Sequence, residues 1–291
     1  EIADRDWSSD VCSSDLIRTA ASVLSWAYKI HWRKKSEKNR GCGSSCWEGT
    51  RNMRMWNPWH GCRKISEGCA HCYMFQRDAC YEKDSRRVRQ TQAFNEPVKK
   101  KRDGNYKVPG GTILYTCLTS DFWVEEADPW RLEAWQMIQQ RQDVHFYIIT
   151  KRIGRFEVGL PSDWDEGYPN VTVAVTCENQ QRADERIPLL LSAPIRHREV
   201  IHEPMLGAVE IGIYLQSGKI EHVTCGGESG PGARLCDYDW ILQAREQCIS
   251  CQVPFTFKQT GALFRKGGRI YRIPRIFQMP QAQKANINTK N

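Results

Sequence analysis

The chain has 291 residues, of which 40% are hydrophobic, enough for one sizeable domain with a buried core. Its 42 Lys and Arg against 34 Asp and Glu give a formal charge of +8, which permits an anionic partner without requiring one. No run of about 18 apolar residues occurs, so we expect no membrane-spanning helix. Thirteen cysteines, an odd number in a long chain, argue against a secreted disulfide scaffold and favour metal-bound or buried thiols in a reducing cytoplasm.

Residues 1–52 differ from the rest of the chain. The segment from Asp6 to Leu16 resembles the translation of a sequencing-library adapter, and the first plausible initiator after it is Met53 or Met55. We therefore expect residues 1–52 to be an artefactual or non-functional extension that packs poorly.

Three cysteines, Cys62, Cys69 and Cys72, lie in one short segment that runs from Trp56 to Tyr73. Three thiolates on one loop can hold three irons of a cubane iron–sulfur cluster and leave the fourth iron open for chemistry, whereas a four-cysteine site is usually closed. The alternatives are free thiols or a structural zinc site with a fourth ligand from the same region. The candidates for that fourth ligand are His60, His71 and Cys80.

A basic stretch follows the cysteine segment, from Arg86 to Arg102. Its simplest interpretation is a solvated, charged connector. Phosphate contacts from the same side chains would instead give salt-sensitive nucleic-acid binding, although no DNA- or RNA-recognition motif accompanies them. Nucleic acid is therefore an alternative partner that the sequence raises and does not specify.

From residue 53 onward, short apolar and β-branched runs alternate with polar or helical sequence. Continuous apolar runs of four to eight residues are typical of strands buried on both faces of a parallel sheet. The predicted strands are an edge strand near Met53–Trp56, then Thr112–Cys117, Val144–Ile149, Val171–Val175, Glu199–Ile201, His222–Thr224 and Val253–Phe257. Helices are predicted to be capped by Asp128, to run over Gln180–Leu191 and to be capped by Asp237.

This alternation predicts an α/β fold, a partial (βα) barrel over residues 53–279 with parallel strands inside and helices outside. The polar tail, residues 280–291, is predicted to be disordered. In such barrels the loops after the strands share one face. The charged residues at the predicted strand ends should therefore ring one mouth, and they are Asp121, Lys151, Arg152, Glu178, Glu203 and Glu228.

Several of these strand-end groups have a purely structural alternative. Glu203 and Glu228 can be solvated charges at the ends of strands. Gly226 and Gly227 open a glycine-rich segment that can be a turn requiring positive φ. Lys258 lies in an apolar run, so we expect it to form an ion pair at the floor or mouth of the barrel.

These motifs together resemble one family, the phage-associated radical-SAM-like proteins of unknown function known as the phage gp thirty-seven/gp sixty-eight family. The resemblance covers roughly residues 53–264. It rests on these motifs, in chain order: Trp56–Tyr73, Thr150-Lys151-Arg152, Glu203-Pro204, Gly226–Gly232 and Phe257-Lys258-Gln259. It implies a partial barrel of the radical-SAM type that binds a 4Fe–4S cluster and S-adenosyl-L-methionine.

The resemblance also implies a reaction. Cys62, Cys69 and Cys72 would ligate three irons, and S-adenosylmethionine would chelate the fourth. An external one-electron donor would drive cleavage to methionine and a 5′-deoxyadenosyl radical, which abstracts hydrogen from a substrate that the family does not identify. The cofactor contacts are assigned to the strand-end residues Asp121, Glu178, Glu203, Gly226, Gly227 and Glu228.

The sequence departs from the usual radical-SAM pattern at two points. Six residues separate Cys62 from Cys69, where three are usual, and the signature Gly226-Gly227-Glu228 follows a late strand rather than the second. The alternative function is a non-catalytic or zinc-stabilised barrel that acts as a binding module, with nucleic acid as a candidate ligand. Production of 5′-deoxyadenosine distinguishes the two classes.

Overall fold

A computed structural model describes residues 52–289 of the chain. Its strands are β1 (Met53–Trp56), β2 (Trp59–His60), β3 (Arg89–Gln90), β4 (Ile113–Thr116), β5 (His145–Thr150), β6 (Val171–Thr176), β7 (His197–His202), β8 (His222–Gly226), β9 (Cys236–Asp237), β10 (Phe255–Gln259), β11 (Leu263–Lys266) and β12 (Arg269–Arg272). A seven-stranded parallel sheet has the order β1-β4-β5-β6-β7-β8-β10. The sheet is curled into a half-barrel, which confirms the expected α/β fold.

Helices connect the parallel strands and surround the half-barrel. They are α1 (Tyr73–Cys80), α2 (Asp128–Gln140), α3 (Gln180–Ser192), α4 (Gly212–Leu215), α5 (Tyr238–Ser250) and α6 (Arg275–Lys284), with short 3-10 turns at Glu67–Cys69, Glu96–Val98, Glu125–Ala127 and Ile153–Arg155. The start of α3 is set by Asn179, whose side chain accepts a hydrogen bond from the backbone of Arg182.

Two predicted helix caps have different outcomes. Asp237 caps α5 as expected, because its side chain accepts a hydrogen bond from the Asp239 backbone at 3.0 Å. Asp128, expected to cap α2, is instead the first helical residue and makes no capping bond. Its carboxylate forms ion pairs with Arg131 and with Arg155, each at 2.7 Å. The two guanidinium groups thus hold the carboxylate that would otherwise accept a capping hydrogen bond.

Large aromatic side chains fill the core between the sheet and the helices. Trp56, Trp59, Trp123 and Trp135 are completely buried. Trp135 packs against Trp164 with ring centroids 4.8 Å apart. The indole N–H groups of Trp59 and Trp123 donate to backbone carbonyls at 2.9 Å and 3.1 Å, so these two rings bury apolar area without leaving a donor unpaired.

The sheet also has an apolar inner wall. Every residue of β6 is buried, as a central strand covered on both faces requires. Ile113, Tyr115, Tyr147, Ala174 and Ile201 form an apolar cluster separate from the main core, on the concave face that points away from the helices. The half-barrel therefore encloses an apolar surface of its own.

The strand ends of the half-barrel lie at one edge. Every pairing in the large sheet is parallel, so the loops that follow its strands share that edge. The predicted mouth residues follow β4, β5, β6, β7 and β8 there, and they are Asp121, Lys151, Arg152, Glu178, Glu203 and Glu228.

The C-terminal part adds a small sheet in the order β12-β11-β9 and the helix α6. The prediction that residues 280–291 are disordered is wrong for residues 280–289. Helix α6 continues to Lys284, and Thr289 donates its backbone N–H to the carbonyl of Phe255 in β10. This bond satisfies a backbone group on the outermost strand of the large sheet, which a polar composition does not reveal.

Two further expectations concern the N-terminal extension and membrane-spanning helices. Residues 1–51 lie outside the described residues, so the expectation for the extension stays a prediction. Asn52 is described, and its carbonyl accepts a hydrogen bond from Ile113 at 3.0 Å. Between residues 52 and 289, none of the helices is long and apolar enough to cross a membrane.

Candidate functional site

A cavity of about 1200 Å³ opens at the strand-end edge and extends along the concave face of the half-barrel. The predicted site residues that line it are Cys62, Cys69, Cys72, Asp121, Glu203, Gly227 and Glu228. Glu178 and Gly226 do not line it. The cysteine loop, residues 62–72, therefore meets the loops of several later strands around one space.

Cys62 is held at the mouth by the end of β5. Arg152 approaches Cys62 Sγ with Nη1 at 3.6 Å and donates from Nη2 to the Arg63 carbonyl at 2.7 Å. The backbone N–H of Cys62 donates to the Ser85 carbonyl at 2.8 Å. Burial, helped by the charge of Asp121, raises the pKa of the Cys62 thiol to about 12. Arg152 therefore fixes both the sulfur and the peptide group that follows it.

Cys69 and Cys72 lie at the two ends of one tight turn. Cys69 ends the 3-10 turn that begins at Glu67, and its Sγ is 3.7 Å from Ser66 Oγ. Cys72 occupies the N-cap position of α1. The N-terminus of a helix carries partial positive charge, which favours a thiolate, while burial acts in the opposite sense and raises the pKa of the Cys72 thiol.

The three sulfurs are a soft donor set that suits iron–sulfur or zinc chemistry. All three thiols are free of disulfides and line the same cavity. In the part of the chain that the structure describes, no group of three or more Cys, His, Asp or Glu side chains is arranged to hold a metal ion. The residues present fit a cluster by donor type, by number and by their shared access to one cavity.

Glu178, at the end of β6, anchors the cysteine loop. Its buried carboxylate accepts hydrogen bonds from Ser66 Oγ and, at 2.8 Å, from Arg186 Nη1, and Lys151 Nζ lies 3.4 Å away. Burial by itself would raise the pKa of Glu178, but the charges of Lys151 and Arg186 outweigh it and hold that pKa below its ordinary value. Gly68 permits this contact, because a Cβ there would lie 2.3 Å from Glu178 Cγ.

Glu228, after β8, provides a second anchor. Arg234 donates to its carboxylate from Nη2 at 2.6 Å and from Nε at 2.9 Å. His71 of the cysteine loop has its Nδ1 3.1 Å from the same carboxylate. Arg234 also donates from Nη1 to the Glu67 carbonyl at 2.8 Å. Glu228 thus contacts the cysteine loop directly at His71. It also positions Arg234, which contacts the same loop at Glu67.

Asp121, after β4, joins the ends of two neighbouring strands. Its Oδ1 accepts a hydrogen bond from Thr150 Oγ1 at 2.7 Å, and its Oδ2 accepts one from the Lys151 backbone at 2.8 Å. The guanidinium of Arg152 lies 3.6 Å from Oδ2. Asp121 therefore ties β4 to β5 and keeps Arg152 directed at Cys62.

Glu203, after β7, forms the expected ion pair with Lys258. Lys258 Nζ lies 2.6 Å from Glu203 Oε2, and Gln259 Nε2 donates to Oε1 at 2.6 Å. All three residues line the cavity, so the pair lies at the mouth. This confirms the expectation that Lys258 requires an anionic partner.

Close packing, rather than a turn, explains the first two glycines of the segment after β8. Positive φ occurs at Gly230 and Gly232 and not at Gly226 or Gly227. A Cβ at Gly227 would lie 2.1 Å from the Thr260 carbonyl oxygen, so the backbones approach too closely for a side chain. The turn interpretation is therefore wrong for Gly226 and Gly227 and right for Gly230.

The residues that tether the cysteine loop could not be identified from the sequence. Ser66 and Gly68 lie between the predicted ligands, and Arg234 lies six positions after Glu228. The partner of Ser66, Glu178, is 112 positions away in the chain. A serine and a glycine between two cysteines carry no local signal of so distant a partner.

The histidines considered as zinc ligands each bind a carboxylate. His60 Nε2 lies 2.7 Å from Asp78 Oδ2, and His71 Nδ1 lies 3.1 Å from Glu228 Oε2. One ring nitrogen of each histidine is thus already used. Cys80, the remaining candidate, is exposed at the end of α1 and lines the same cavity.

The basic stretch from Arg86 to Arg102 is separate from the cavity, since no residue of it contributes to the lining. Four cations at its C-terminal end are exposed, namely Lys99, Lys100, Lys101 and Arg102. Its interpretation as a solvated connector and its interpretation as a nucleic-acid contact both stay predictions.

No curated protein and no solved structure matches the chain. A family model matches residues 50–288, and the family it represents is described as a protein of unknown function, DUF5131. That match includes the cysteine loop, every strand of the half-barrel and the C-terminal helix. The chain therefore belongs to the DUF5131 family of proteins of unknown function.

Proposed function

We propose that this protein is an iron–sulfur enzyme of the radical-SAM type. The observation that carries the proposal is that Cys62, Cys69 and Cys72 line one cavity at the strand-end mouth of a parallel half-barrel. Active sites of α/β barrels lie at this edge. The three thiols would hold three irons of a 4Fe–4S cluster and leave the fourth for S-adenosylmethionine.

The contacts that hold the cysteine loop in place support the proposal, because a metal site requires ligands in fixed positions. When bound, a reduced cluster supplies the electron that cleaves S-adenosylmethionine to methionine and a hydrogen-abstracting 5′-deoxyadenosyl radical. The chain's own contribution is to position the thiols. Arg152 holds the loop at Cys62, Glu178 holds it at Ser66, and Glu228 holds it at His71. Three contacts, made by residues that follow β5, β6 and β8, hold this short loop in place.

Polar groups at the mouth are suited to orient a zwitterionic cofactor. Glu203, after β7, and Lys258, near the end of β10, present opposite charges to the cavity from the two sides of β8. These groups match the ammonium, carboxylate and ribose hydroxyls that S-adenosylmethionine carries.

The inner wall of the half-barrel supports the same proposal. Tyr115 and Tyr147 pack with ring centroids 5.0 Å apart, and Ile113, Ile149 and Ile201 line the cavity beside them. An apolar wall reduces the access of water and of stray hydrogen donors to a reactive species. The substrate would enter this part of the cavity, next to the cysteine loop.

Anaerobic reconstitution with iron and sulfide tests the proposal. We expect a brown protein that binds about four irons, shows the electron paramagnetic resonance of a reduced cluster with dithionite as the electron donor, and releases 5′-deoxyadenosine from S-adenosylmethionine. The variant Cys62→Ser/Cys69→Ser/Cys72→Ser should lose all three properties.

A matched cysteine variant controls for general loss of thiols. Cys251 is half-buried and does not line the cavity, so Cys251→Ser should keep the iron content and the nucleoside product. A wild-type protein that stays colourless, binds zinc and forms no 5′-deoxyadenosine would overturn the proposal and favour a zinc-stabilised binding module.

A further inference from the structure

The net charge of the chain is concentrated in its C-terminal part. Residues 247–291 contain eight Lys and Arg and no Asp or Glu, so they account for the whole formal charge of +8, and residues 1–246 are balanced. A segment whose charges are all positive attracts anions over about one Debye length, ~10 Å at 0.1 M salt. The fold decides which of these cations face solvent.

The hairpin formed by β11 and β12 presents part of this charge on an exposed ribbon. Its turn, Gly267-Gly268, has positive φ at both positions, as a tight two-residue hairpin requires. The cross-strand pairs Phe264–Tyr271 and Lys266–Arg269 lie on one face of the ribbon. All residues of β12 are exposed. The hairpin therefore combines an aromatic pair with a cationic pair.

A pocket of about 420 Å³ lies between this hairpin and α6. Aromatic rings form much of its wall, from Tyr238, Phe257, Phe264, Tyr271 and Phe277. Phe257 and Phe264 are stacked with centroids 5.9 Å apart, and Lys266 Nζ lies 4.5 Å from the centre of the Tyr238 ring. The volume is in the usual range of small-ligand sites, ~300–1,000 Å³. Such a pocket is suited to a flat aromatic ring with an anion beside it.

The fold neutralises some C-terminal cations and leaves others without an anionic partner. Lys258 pairs with Glu203, and Arg265 pairs with Asp237. By contrast, five cations form no ion pair with any residue between 52 and 289, and they are Lys266, Arg269, Arg272, Arg275 and Lys284. Three of the five line the aromatic pocket, namely Lys266, Arg272 and Lys284.

We propose that the hairpin, the pocket and α6 together bind single-stranded nucleic acid. The unpaired cations would contact successive phosphates, and one unstacked base would enter the aromatic pocket. A single strand is favoured over a duplex because its bases are free to stack on protein rings, whereas a paired base must first leave its helix. Anionic membranes and acidic proteins are attracted by the same charge but make no use of a ring-lined pocket.

The position of this surface places a bound strand beside the large cavity. Pro274 lines the aromatic pocket, and its neighbour Arg275 lines the cavity that contains the cysteines. The binding itself needs no cluster and no turnover, so it can be tested whether or not the protein is a radical-SAM enzyme.

Fluorescence anisotropy with a labelled oligothymidylate of about 12 nucleotides tests the proposal on the full chain. We expect binding that weakens with salt. Arg269→Gln/Arg272→Gln should lower the affinity about tenfold or more and reduce the slope of log K against log salt by about 1.4, since each single-strand phosphate contact contributes ~0.7. Tyr271→Ala should lower the affinity at least about fivefold, with little change in that slope.

A control variant removes the same charge elsewhere. Lys101→Gln/Arg102→Gln neutralises two exposed cations of the other basic stretch and should bind like the wild type. Absence of wild-type binding at low salt would overturn the proposal. So would equal losses in the two double variants, a duplex bound as tightly as the single strand, or anionic vesicles that displace the oligonucleotide. Because residues 269–272 are exposed, unchanged thermal unfolding of the hairpin variants will show that they fold.

Discussion

Replacement of Gly68 by alanine tests whether the cysteine loop depends on its contact with Glu178. The new Cβ would lie 2.3 Å from both Cγ and Oε1 of Glu178, far inside contact distance. Glu178 has no room to retreat, because its carboxylate is buried and bonded to Arg186 at 2.8 Å. Overpacking of a filled site costs about 1–3 kcal/mol. At about 2–4 °C per kcal/mol for a chain of this size, Tm should fall by roughly 2–12 °C.

Gly207→Ala is the matched control for this experiment. A Cβ at Gly207 meets no atom within 4 Å, and its φ is not in the left-handed region. Thermal unfolding followed by circular dichroism, and the iron content after reconstitution, should be measured for both variants. We expect Gly68→Ala to melt lower and to retain less iron than Gly207→Ala. Equal Tm and equal iron content would refute the reasoning.

Three further perturbations concern single contacts. Arg234→Lys keeps the charge but loses the two-point contact with Glu228, so the free energy of unfolding in urea should fall by about 1–2 kcal/mol, and an unchanged midpoint would contradict this. Burial lowers the pKa of His202 to about 4. As the pH falls below about 6.5, this histidine therefore becomes protonated in the unfolded chain before it does in the folded chain. This group should therefore leave stability unchanged above pH 6.5 and reduce it by up to about 3 kcal/mol as the pH falls from 6.5 to 4. His202→Gln should lack that slope in urea titrations between pH 4 and 7, and identical slopes would exclude His202 as its cause. Lys258→Met should cost about 1–3 kcal/mol by leaving Glu203 unpaired, and adding Glu203→Gln should restore most of it; no recovery would argue against a direct pair.

Strands of the half-barrel could be located from the sequence because a covered parallel sheet is apolar on both faces. The predicted strand Val171–Val175 and the observed β6, Val171–Thr176, differ by one residue. For β10, the apolar run predicts Val253–Phe257, two residues earlier than the observed Phe255–Gln259. Its polar end is extended because Gln259 pairs with Gly226 of β8, a contact that hydrophobicity does not report.

The cysteine loop was recognisable from spacing alone, whereas the roles of the surrounding carboxylates were not. Glu178 and Glu228 both follow buried strands and have similar local sequence signals. In the structure, Glu178 is engaged with Ser66 and Arg186 and does not line the cavity, while Glu228 lines it and binds Arg234. These differences arise from partners on other strands and loops.

The sequence by itself determined the number and spacing of the thiols in the cysteine loop, the order of the seven strands of the large sheet, and the excess of positive charge in residues 247–291. Residue type and local periodicity are sufficient for each of these. Only the tertiary structure decided which charges are paired, such as Lys258 with Glu203, and which are left exposed, such as Arg269. The physical reason is that ion pairs and close backbone contacts form between segments far apart in the chain, as the 157 positions between His71 and Glu228 illustrate.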